Sequence, residues 1–198
     1  MKLTPNIQKA INIASEKHLG QVRKADGLPY IVHPFAVAWI LSNYTGNEDV
    51  IVAGLLHDVL EDVESYKFDD LKNDLGGKVA NIVRELSEER EPSVEIDAKA
   101  TWRTRKKQYL ERLQSASVEA LMVCAADKIH NLLSIIDAYE KFGNPVWAKF
   151  DSPINKKMHF YGEVLKLLEQ RLDNGIVIEL TKTYTETKNK LVESGINL

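Results

Sequence analysis

The spacing of hydrophobic residues along the chain predicts an all-α protein. Hydrophobic positions recur mostly three and four residues apart, and no stretch shows the alternation of a β-strand. Thr4 and Pro5 form a helix start signal, and a hydrophobic stripe from Ile7 to Ala14 follows them. The pattern predicts helices over residues 5–18, 34–44, 48–63, 68–75, 78–88, 97–114, 118–141, 153–172 and 176–193.

The predicted helix over residues 48–63 differs from the others because it is hydrophobic on every side from Ile51 to Leu56. Such a helix is typically enclosed by its neighbours. The chain shows no repeat and no composition break, so we expect residues 1–198 to form one domain. Its motif-bearing core covers about residues 5–140, and C-terminal helices follow over about 145–198. Residues 87–96 are charge-rich and contain one proline, which predicts a mobile loop.

The composition narrows the class of protein. Of the 198 residues, 44% are hydrophobic and 28% are charged, and the net charge is −3, which disfavours a basic nucleic-acid binder. No hydrophobic stretch approaches the roughly 20 residues of a membrane helix, and no signal peptide is visible. The single cysteine, Cys124, lies in a hydrophobic run and is expected to be a buried, inert thiol. We therefore expect a cytoplasmic protein without nucleic-acid or membrane partners.

A cluster of polar residues directly follows the hydrophobic centre of the 48–63 helix. It comprises His57, Asp58, Glu61 and Asp62. Helical spacing places Glu61 one turn after His57 and Asp62 one turn after Asp58. Burying such groups is costly unless they are paired or bound to a metal. The cluster therefore indicates a functional site, and the alternative is a helix end whose polar side chains meet solvent.

Two further segments supply residues of the same chemical type. His33 begins a predicted helix, and Asp127 follows a hydrophobic run. Taken alone, His33 could equally be a capping or surface residue, and Asp127 a half-buried partner of Lys128. Together with His57 and Asp58 they form a nitrogen and oxygen ligand set that suits Mn, Fe or Zn. Such a set leaves positions for water, as a hydrolytic site needs.

Other polar and aromatic residues have simpler interpretations. A run of basic residues on a predicted helix favours a solvated face, with phosphate binding as the alternative. This run contains Arg103, Arg105, Lys106 and Lys107. The histidines at 18, 130 and 159 are interpreted as structural or surface residues. The aromatic residues Trp147, Phe150, Phe160 and Tyr161 are interpreted as core or lid packing.

Four ordered motifs give the chain a family resemblance. They are Gly20-Gln21-Val22-Arg23-Lys24, Pro29-Tyr30-Ile31-Val32-His33-Pro34, the segment from Ala53 to Asp62, and Ala126-Asp127-Lys128-Ile129-His130-Asn131. In this order they resemble the HD-domain phosphohydrolases, and within them the (p)ppGpp hydrolase domain of the RelA/SpoT family. The single-domain small alarmone hydrolases are the most similar type. The resemblance spans roughly residues 5 to 140.

The resemblance implies a fold, a reaction and a set of site residues. The fold is an all-α HD-domain helical bundle, and the reaction removes the 3′-pyrophosphate from guanosine tetra- or pentaphosphate with Mn²⁺ or another divalent metal. The implied metal ligands are His33, His57, Asp58 and Asp127. Glu61 and Asp62 correspond to the acid–base pair, Arg23 and Lys24 to the basic pair that packs on the base, and Asn131 to a substrate contact.

The chain departs from the family pattern at two positions. Val63 stands where the family usually has Thr, and Leu133 stands where it usually has Arg. Two alternatives therefore stay open: an HD phosphohydrolase acting on another nucleotide, such as a deoxynucleotide or NADPH, or a catalytically weak nucleotide-binding regulatory module. The intact acid–base and ligand residues argue against the second alternative. In each case the expected partner is a small nucleotide.

Overall fold

A computed structural model of the chain describes residues 2–88, 98–150 and 152–198, without the side chains of residues 98–100. Within these ranges the protein is helical, and its only β-bridge is the isolated pair Val22 and Pro29. The first helices are α1 (Pro5–Lys17), α2 (Val32–Leu41), α3 (Glu48–Leu56), α4 (Val59–Asp62), α5 (Phe68–Leu75) and α6 (Gly77–Leu86). They are followed by α7 (Ala98–Leu113), α8 (Val118–Phe142), a 3₁₀ helix (Asn144–Lys149), α9 (Ile154–Arg171) and α10 (Gly175–Glu193). The prediction of an all-α fold is confirmed.

Local signals explain where several helices begin. The Thr4 hydroxyl accepts the Ile7 N–H at the start of α1, and Pro5 occupies the first turn. The Ser117 hydroxyl accepts the Ala120 N–H in the same way at the start of α8. These side chains satisfy amide groups that have no partner inside the helix. The start predicted from Thr4 and Pro5 is therefore confirmed.

Helix α3 lies at the centre of the fold, as its all-round hydrophobicity predicts. Every residue from Val50 to Leu56 is buried, and α3 packs against α1, α2, α6 and α8. Gly54 allows the close approach of α2, because a Cβ atom there would overlap the Leu41 side chain. The close packing of α2 and α3 brings their functional residues to one end of the core.

The predicted helix over residues 48–63 is wrong in one respect, because it is divided into α3 and α4 at His57 and Asp58. The His57 Nδ1–H donates to the Gly54 carbonyl at 2.8 Å. In a continuous helix that carbonyl would accept the amide of residue 58. The break therefore coincides with the polar cluster, and Asp62 still bonds one turn back, from its amide to the Asp58 carbonyl at 2.8 Å.

A second, smaller hydrophobic cluster ties the loop before α2 to the far end of α8. Ala25 packs with Ala138 and Val146, the last of which lies in the 3₁₀ helix that the sequence pattern did not predict. Lys149 donates from its ammonium group to the Ala25 carbonyl at 3.1 Å. The loop that carries Arg23 is thus held by residues more than one hundred positions later in the chain.

Three smaller expectations can be compared with the structure. Cys124 is buried, and burial raises the pKa of its thiol, as expected for an inert cysteine. Ser87 and Glu88 of the predicted mobile loop form contacts, and the remainder of that loop, 89–96, lies outside the described residues. Within the part of the chain that is described, no helix combines the length and hydrophobicity needed to cross a membrane.

Candidate active site

Two histidines and an aspartate converge where α2, α3 and α4 meet. The His33 and His57 Nε2 atoms are 3.2 Å apart, and Asp58 Oδ2 lies 3.1 Å from His57 Nε2 and 3.5 Å from His33 Nε2. The two histidines are only 2% and 6% exposed. Each of the three residues offers an atom that a single metal ion could share, since these atoms all lie within 4.8 Å of one another.

Asp127 joins this group from the middle of α8. Its Oδ1 lies 3.2 Å from His33 Nε2 and 3.8 Å from His57 Nε2, while its Oδ2 forms an ion pair with Lys128. The pairing of Asp127 with Lys128 that the sequence offered as one interpretation is present, and the same buried carboxylate also faces the histidines, so its role as a metal ligand stays a prediction.

The outer nitrogens of the two rings are held by neighbouring groups. The His57 Nδ1–H donates to the Gly54 carbonyl, which leaves the lone pair of the neutral ring on Nε2. The His33 Nδ1 lies 2.7 Å from the Nδ1 of His130. Partners of this kind orient metal-binding histidines. His130 is thus a structural residue, as expected, but sequence reasoning did not foresee that it supports His33.

The loop before α2 supports the acidic residues of the cluster. The Tyr30 hydroxyl donates to Asp58 Oδ2 at 2.6 Å. Gln21 donates from its side-chain amide to the Asp62 carbonyl at 3.4 Å and contacts the buried His18 ring at 2.8 Å. Asp58 and the backbone of Asp62 are therefore positioned by one loop.

The electrostatics of the group favour a positive charge between the carboxylates. Burial alone would lower the pKa of His57, but Asp58 and then Asp127 raise it to about 9. Burial by itself would raise the pKa of Asp58, and His57 and His33 hold it below its usual value instead. Buried carboxylates and imidazoles that stabilise a positive charge match the donor set of a divalent cation. The residues present therefore fit a metal ion.

A cavity of about 1030 Å³ opens beside this cluster. Glu61 and Asp62 line it from α4, and both are half-buried. Glu61 Oε2 accepts the Glu88 amide at 3.3 Å. The cavity brings together all nine residues that the sequence predicted for the site: Arg23, Lys24, His33, His57, Asp58, Glu61, Asp62, Asp127 and Asn131.

The residues predicted to contact a substrate line the same cavity from the loop between α1 and α2 and from α8. Arg23 donates from Nη2 to the Asn131 side-chain oxygen at 3.3 Å, and Asn131 donates to Asp127 Oδ1. Arg23 is half-buried, while Lys24 is exposed at the cavity rim. Arg23 is thus connected through Asn131 to Asp127 and the cluster of His33, His57 and Asp58.

The basic run on α7 is divided between solvent and cavity. Arg103 and Lys107 are exposed, as expected of a solvated face. Arg105 and Lys106 instead line the cavity and bind the buried Glu88 carboxylate, each at 2.5 Å. Burial alone would raise the pKa of Glu88, but Lys106 and Arg105 lower it. For these two residues the expectation of a solvated face is wrong, because both bind the buried Glu88 carboxylate beside the cavity.

Aromatic residues form a further wall of the cavity. Trp102, Tyr109, Phe160 and Tyr161 line it from α7 and α9, and Phe160 lies edge-on to both Trp102 and Tyr109. Phe160 and Tyr161 are buried, in agreement with their interpretation as core or lid residues. Trp147 stacks instead on Tyr139, with ring centres 5.4 Å apart.

Comparison with known proteins assigns this arrangement to a family. The family model described as the HD domain matches residues 10–151, a range that contains every predicted site residue. The chain belongs to the HD-domain family. The HD domain of this chain supplies the histidines and aspartates described above, so the predicted family and fold are confirmed.

Curated relatives of this HD domain are named as pyrophosphohydrolases. A guanosine-3′,5′-bis(diphosphate) 3′-pyrophosphohydrolase of Spiroplasma citri is 37% identical over 132 residues, which cover 65% of this chain and 17% of that protein. The MESH1 protein of Xenopus tropicalis, which carries the same enzyme name, is 38% identical over 130 residues, covering 64% of this chain and 67% of that protein. The chain thus spans about a sixth of the bacterial relative and about two thirds of the vertebrate one.

Solved structures show the same fold over more of the chain. One solved structure is described as a metazoan ortholog of SpoT that hydrolyses ppGpp. The match covers 94% of this chain and 97% of that chain, with a TM-score of 0.73 and 24% sequence identity. A protein of Listeria monocytogenes covers 77% of this chain with a TM-score of 0.65 and 27% identity. The first similarity extends beyond residue 151, so α9 and α10 belong to an architecture that other HD proteins share.

Proposed function

We propose that this HD domain is a metal-dependent pyrophosphohydrolase that removes the 3′-pyrophosphate from guanosine tetra- or pentaphosphate. The observation that carries the proposal is the convergence of His33, His57 and Asp58 beside Glu61 and Asp62 at the edge of one cavity. A binding module would not need two acid–base carboxylates next to a metal-ligand cluster. The names of the curated relatives support the guanosine substrate.

The proposed metal ligands are His33, His57, Asp58 and Asp127, and the proposed ion is Mn²⁺. Their two imidazole nitrogens and two carboxylates suit a borderline divalent ion better than Ca²⁺, which prefers oxygen ligands alone. When bound, such an ion supplies Lewis-acid chemistry and lowers the pKa of a coordinated water. The chain itself contributes the geometry, because Gly54, through its carbonyl, and His130 hold the rings in place.

Glu61 and Asp62 are proposed to orient the attacking water and to accept and return its proton. Both side chains reach the cavity one turn after the ligand pair, within the short helix α4. Neither is required as a ligand. Positioned carboxylates of this kind contribute about 10²- to 10⁴-fold in rate. The proposed ligands His57 and Asp58 lie at the break between α3 and α4, and the proposed acid–base groups follow in α4.

Arg23 and Lys24 are proposed to hold the guanine base, and Asn131 to contact the nucleotide. The planar guanidinium of Arg23 can stack on a flat purine. Its Nε is buried and has no hydrogen-bond partner among the described residues, while Nη2 bonds to Asn131. A base stacked on Arg23 would therefore lie within the cavity, connected through Asn131 to the cluster.

The decisive experiment incubates the purified protein and Mn²⁺ with guanosine tetraphosphate and identifies the products. We expect guanosine diphosphate and pyrophosphate. Release of inorganic phosphate, or turnover restricted to a deoxynucleotide or NADPH in a nucleotide panel, would instead support the alternative HD phosphohydrolase. An absence of turnover on every nucleotide, with metal bound, would refute the enzymatic assignment.

Variants test the roles of the two carboxylates. Glu61→Gln and Asp62→Asn should lower kcat by about 10²- to 10⁴-fold while metal content and KM stay nearly unchanged. Glu64→Gln is the matched control, because Glu64 is exposed in the same segment and does not line the cavity. Loss of metal from Glu61→Gln or Asp62→Asn would make these residues ligands, and full activity in both would refute the acid–base role.

A further inference from the structure

Lys157 lies on the cavity wall that α9 forms, outside the motifs that the sequence comparison with HD hydrolases rests on. Its ammonium group lies 4.5 Å from the centre of the Phe150 ring and 5.9 Å from that of Tyr161. The residue lines the same cavity as the metal-ligand cluster. Its charge therefore faces the space in which a substrate would bind.

The two other lysines near Lys157 in this cavity, on α7 and α8, each have an acidic partner. Lys128 pairs with Asp127, and Lys106 pairs with Glu88 at 2.5 Å. Lys157 forms no ion pair with a carboxylate in the part of the chain that is described. Its contacts with Phe150 and Tyr161 compensate only partly for lost water, since cation–π contacts are weaker than a charged hydrogen bond.

Lys106, Lys128 and Asp127 line the same cavity as Lys157. Burial, followed by the charges of Lys106 and Lys128, lowers the pKa of Lys157 to about 8. Lys157 is half-buried, and a partly desolvated cation without an acidic partner is unfavourable, so an anion entering the cavity would relieve that cost. The part of the cavity beside Lys157 is therefore complementary to a negatively charged group.

The part of the cavity beside Lys157 is continuous with the part that the proposed metal ligands line. Asp127 contacts His33 through one oxygen and Lys128 through the other. Lys128 lies 5.9 Å from the centre of the Tyr161 ring, and Lys157 lies at the same distance from it. His33, Lys128 and Lys157 therefore line one cavity, the space in which a nucleotide would bind.

We propose that Lys157 is a substrate-binding residue that holds a phosphate group of the nucleotide. The inference rests on the proposed function for the identity of the substrate, but the anion-binding role of Lys157 follows from the cavity itself. The group is a phosphate or diphosphate, because these are the anions of a nucleotide and because an ammonium group binds them as a point charge.

The kinetic test compares Lys157→Met with Lys156→Met. Methionine keeps a flexible hydrophobic stem, so Lys157→Met should fold, and Lys157→Arg provides a second variant that keeps the charge. We expect Lys157→Met to raise KM by about 10- to 100-fold with kcat nearly unchanged, as for loss of a charged hydrogen bond used in binding. Lys156 is the matched control, because it is exposed and does not line the cavity.

A binding test separates this inference from the proposed reaction. Inorganic pyrophosphate is titrated calorimetrically into the metal-free protein and its variants. Wild type, Lys156→Met and Lys157→Arg should bind pyrophosphate, and Lys157→Met should bind it about tenfold or more weakly. That result supports the inference even if guanosine tetraphosphate is not hydrolysed. Equal binding by Lys157→Met and wild type, or no binding by wild type, would overturn it whatever the activity.

Discussion

Replacing His130 tests whether the metal-ligand cluster depends on support from outside it. The His130 Nδ1 lies 2.7 Å from the Nδ1 of His33, and the ring centres are 4.9 Å apart. Burial, with smaller contributions from His33 and Arg23, lowers the pKa of His130 to about 3, so its ring is neutral at pH 7. His130→Phe therefore removes one hydrogen bond and keeps an uncharged aromatic side chain, which is slightly larger than imidazole.

The expected loss can be estimated from the geometry. His33 is 2% exposed, so no bulk water replaces the lost partner, and the ring loses the contact that fixes its orientation and tautomer. Removing such a partner typically weakens metal binding by about 10- to 100-fold, which corresponds to about 1.4–2.7 kcal/mol. We expect His130→Phe to reduce Mn²⁺ affinity by this factor.

The assay is a calorimetric titration of Mn²⁺ into the metal-free protein at pH 7, together with thermal unfolding in the absence of metal. His159→Phe is the control, because His159 is exposed and lies outside the cavity. Wild-type Mn²⁺ affinity in a folded His130→Phe protein would refute the idea that His33 needs this partner. An equal loss in the control would show that the effect is general.

Three further predictions concern stability. Gly54→Ala should lower the free energy of unfolding measured in urea. Overlap of the new Cβ with Leu41 costs about 1–3 kcal/mol, and the better helix propensity of alanine offsets about 1 kcal/mol of this. An unchanged free energy of unfolding would show that Leu41 rearranges freely. Tyr30→Phe should lower it by about 1.5 kcal/mol by removing the hydrogen bond to Asp58, and no change would show that the bond has no net value. In the folded protein the pKa of the Glu88 carboxyl is lower than in the unfolded chain, where it is about 4.3. The ionised carboxylate therefore stabilises the fold fully above that pH, and the stabilisation is lost as the pH falls through the pKa of the folded state. The stability advantage of wild type over Glu88→Gln should therefore shrink in acid, and a constant difference between pH 7 and pH 3 would contradict this.

Helix positions could be predicted well because their signals are local. Thr4 and Pro5 determine the start of α1 within a few residues, and the enclosed position of α3 follows from its own composition. The break at His57 could not be predicted in this way. It depends on a ring nitrogen taking the Gly54 carbonyl, and the hydrophobic spacing on either side of the break is compatible with one helix.

The candidate site likewise has features that sequence signals could predict and features that they could not. His57, Asp58 and Asp127 could be found because they follow hydrophobic runs, whereas Arg23 and Lys24 were implied only by the family resemblance; the cavity is lined by all nine predicted residues. Their assigned roles stay predictions. The support of His33 by His130 joins residues 97 positions apart, and only the location of His130 three residues after Asp127, on the same side of a helix, hinted at it. Lys157 lies three residues after Ile154 and four before Tyr161, on the buried face of α9, and this helical spacing is the signal that could have distinguished it from exposed Lys156.

The bond between Lys149 and Ala25 spans 124 residues, and this has a consequence for synthesis on the ribosome. A nascent chain carries all four proposed ligands once residue 127 has emerged, whereas the anchor of the Arg23 loop is still inside the ribosome or not yet made. Contacts between residues this far apart in the sequence form late. The later segment must be present before its contacts can offset the entropy lost on closing the long loop. The proposed nucleotide pocket is therefore completed only after α8 and the 3₁₀ helix have left the exit tunnel, so a growing chain carries its four proposed metal ligands well before the pocket is finished.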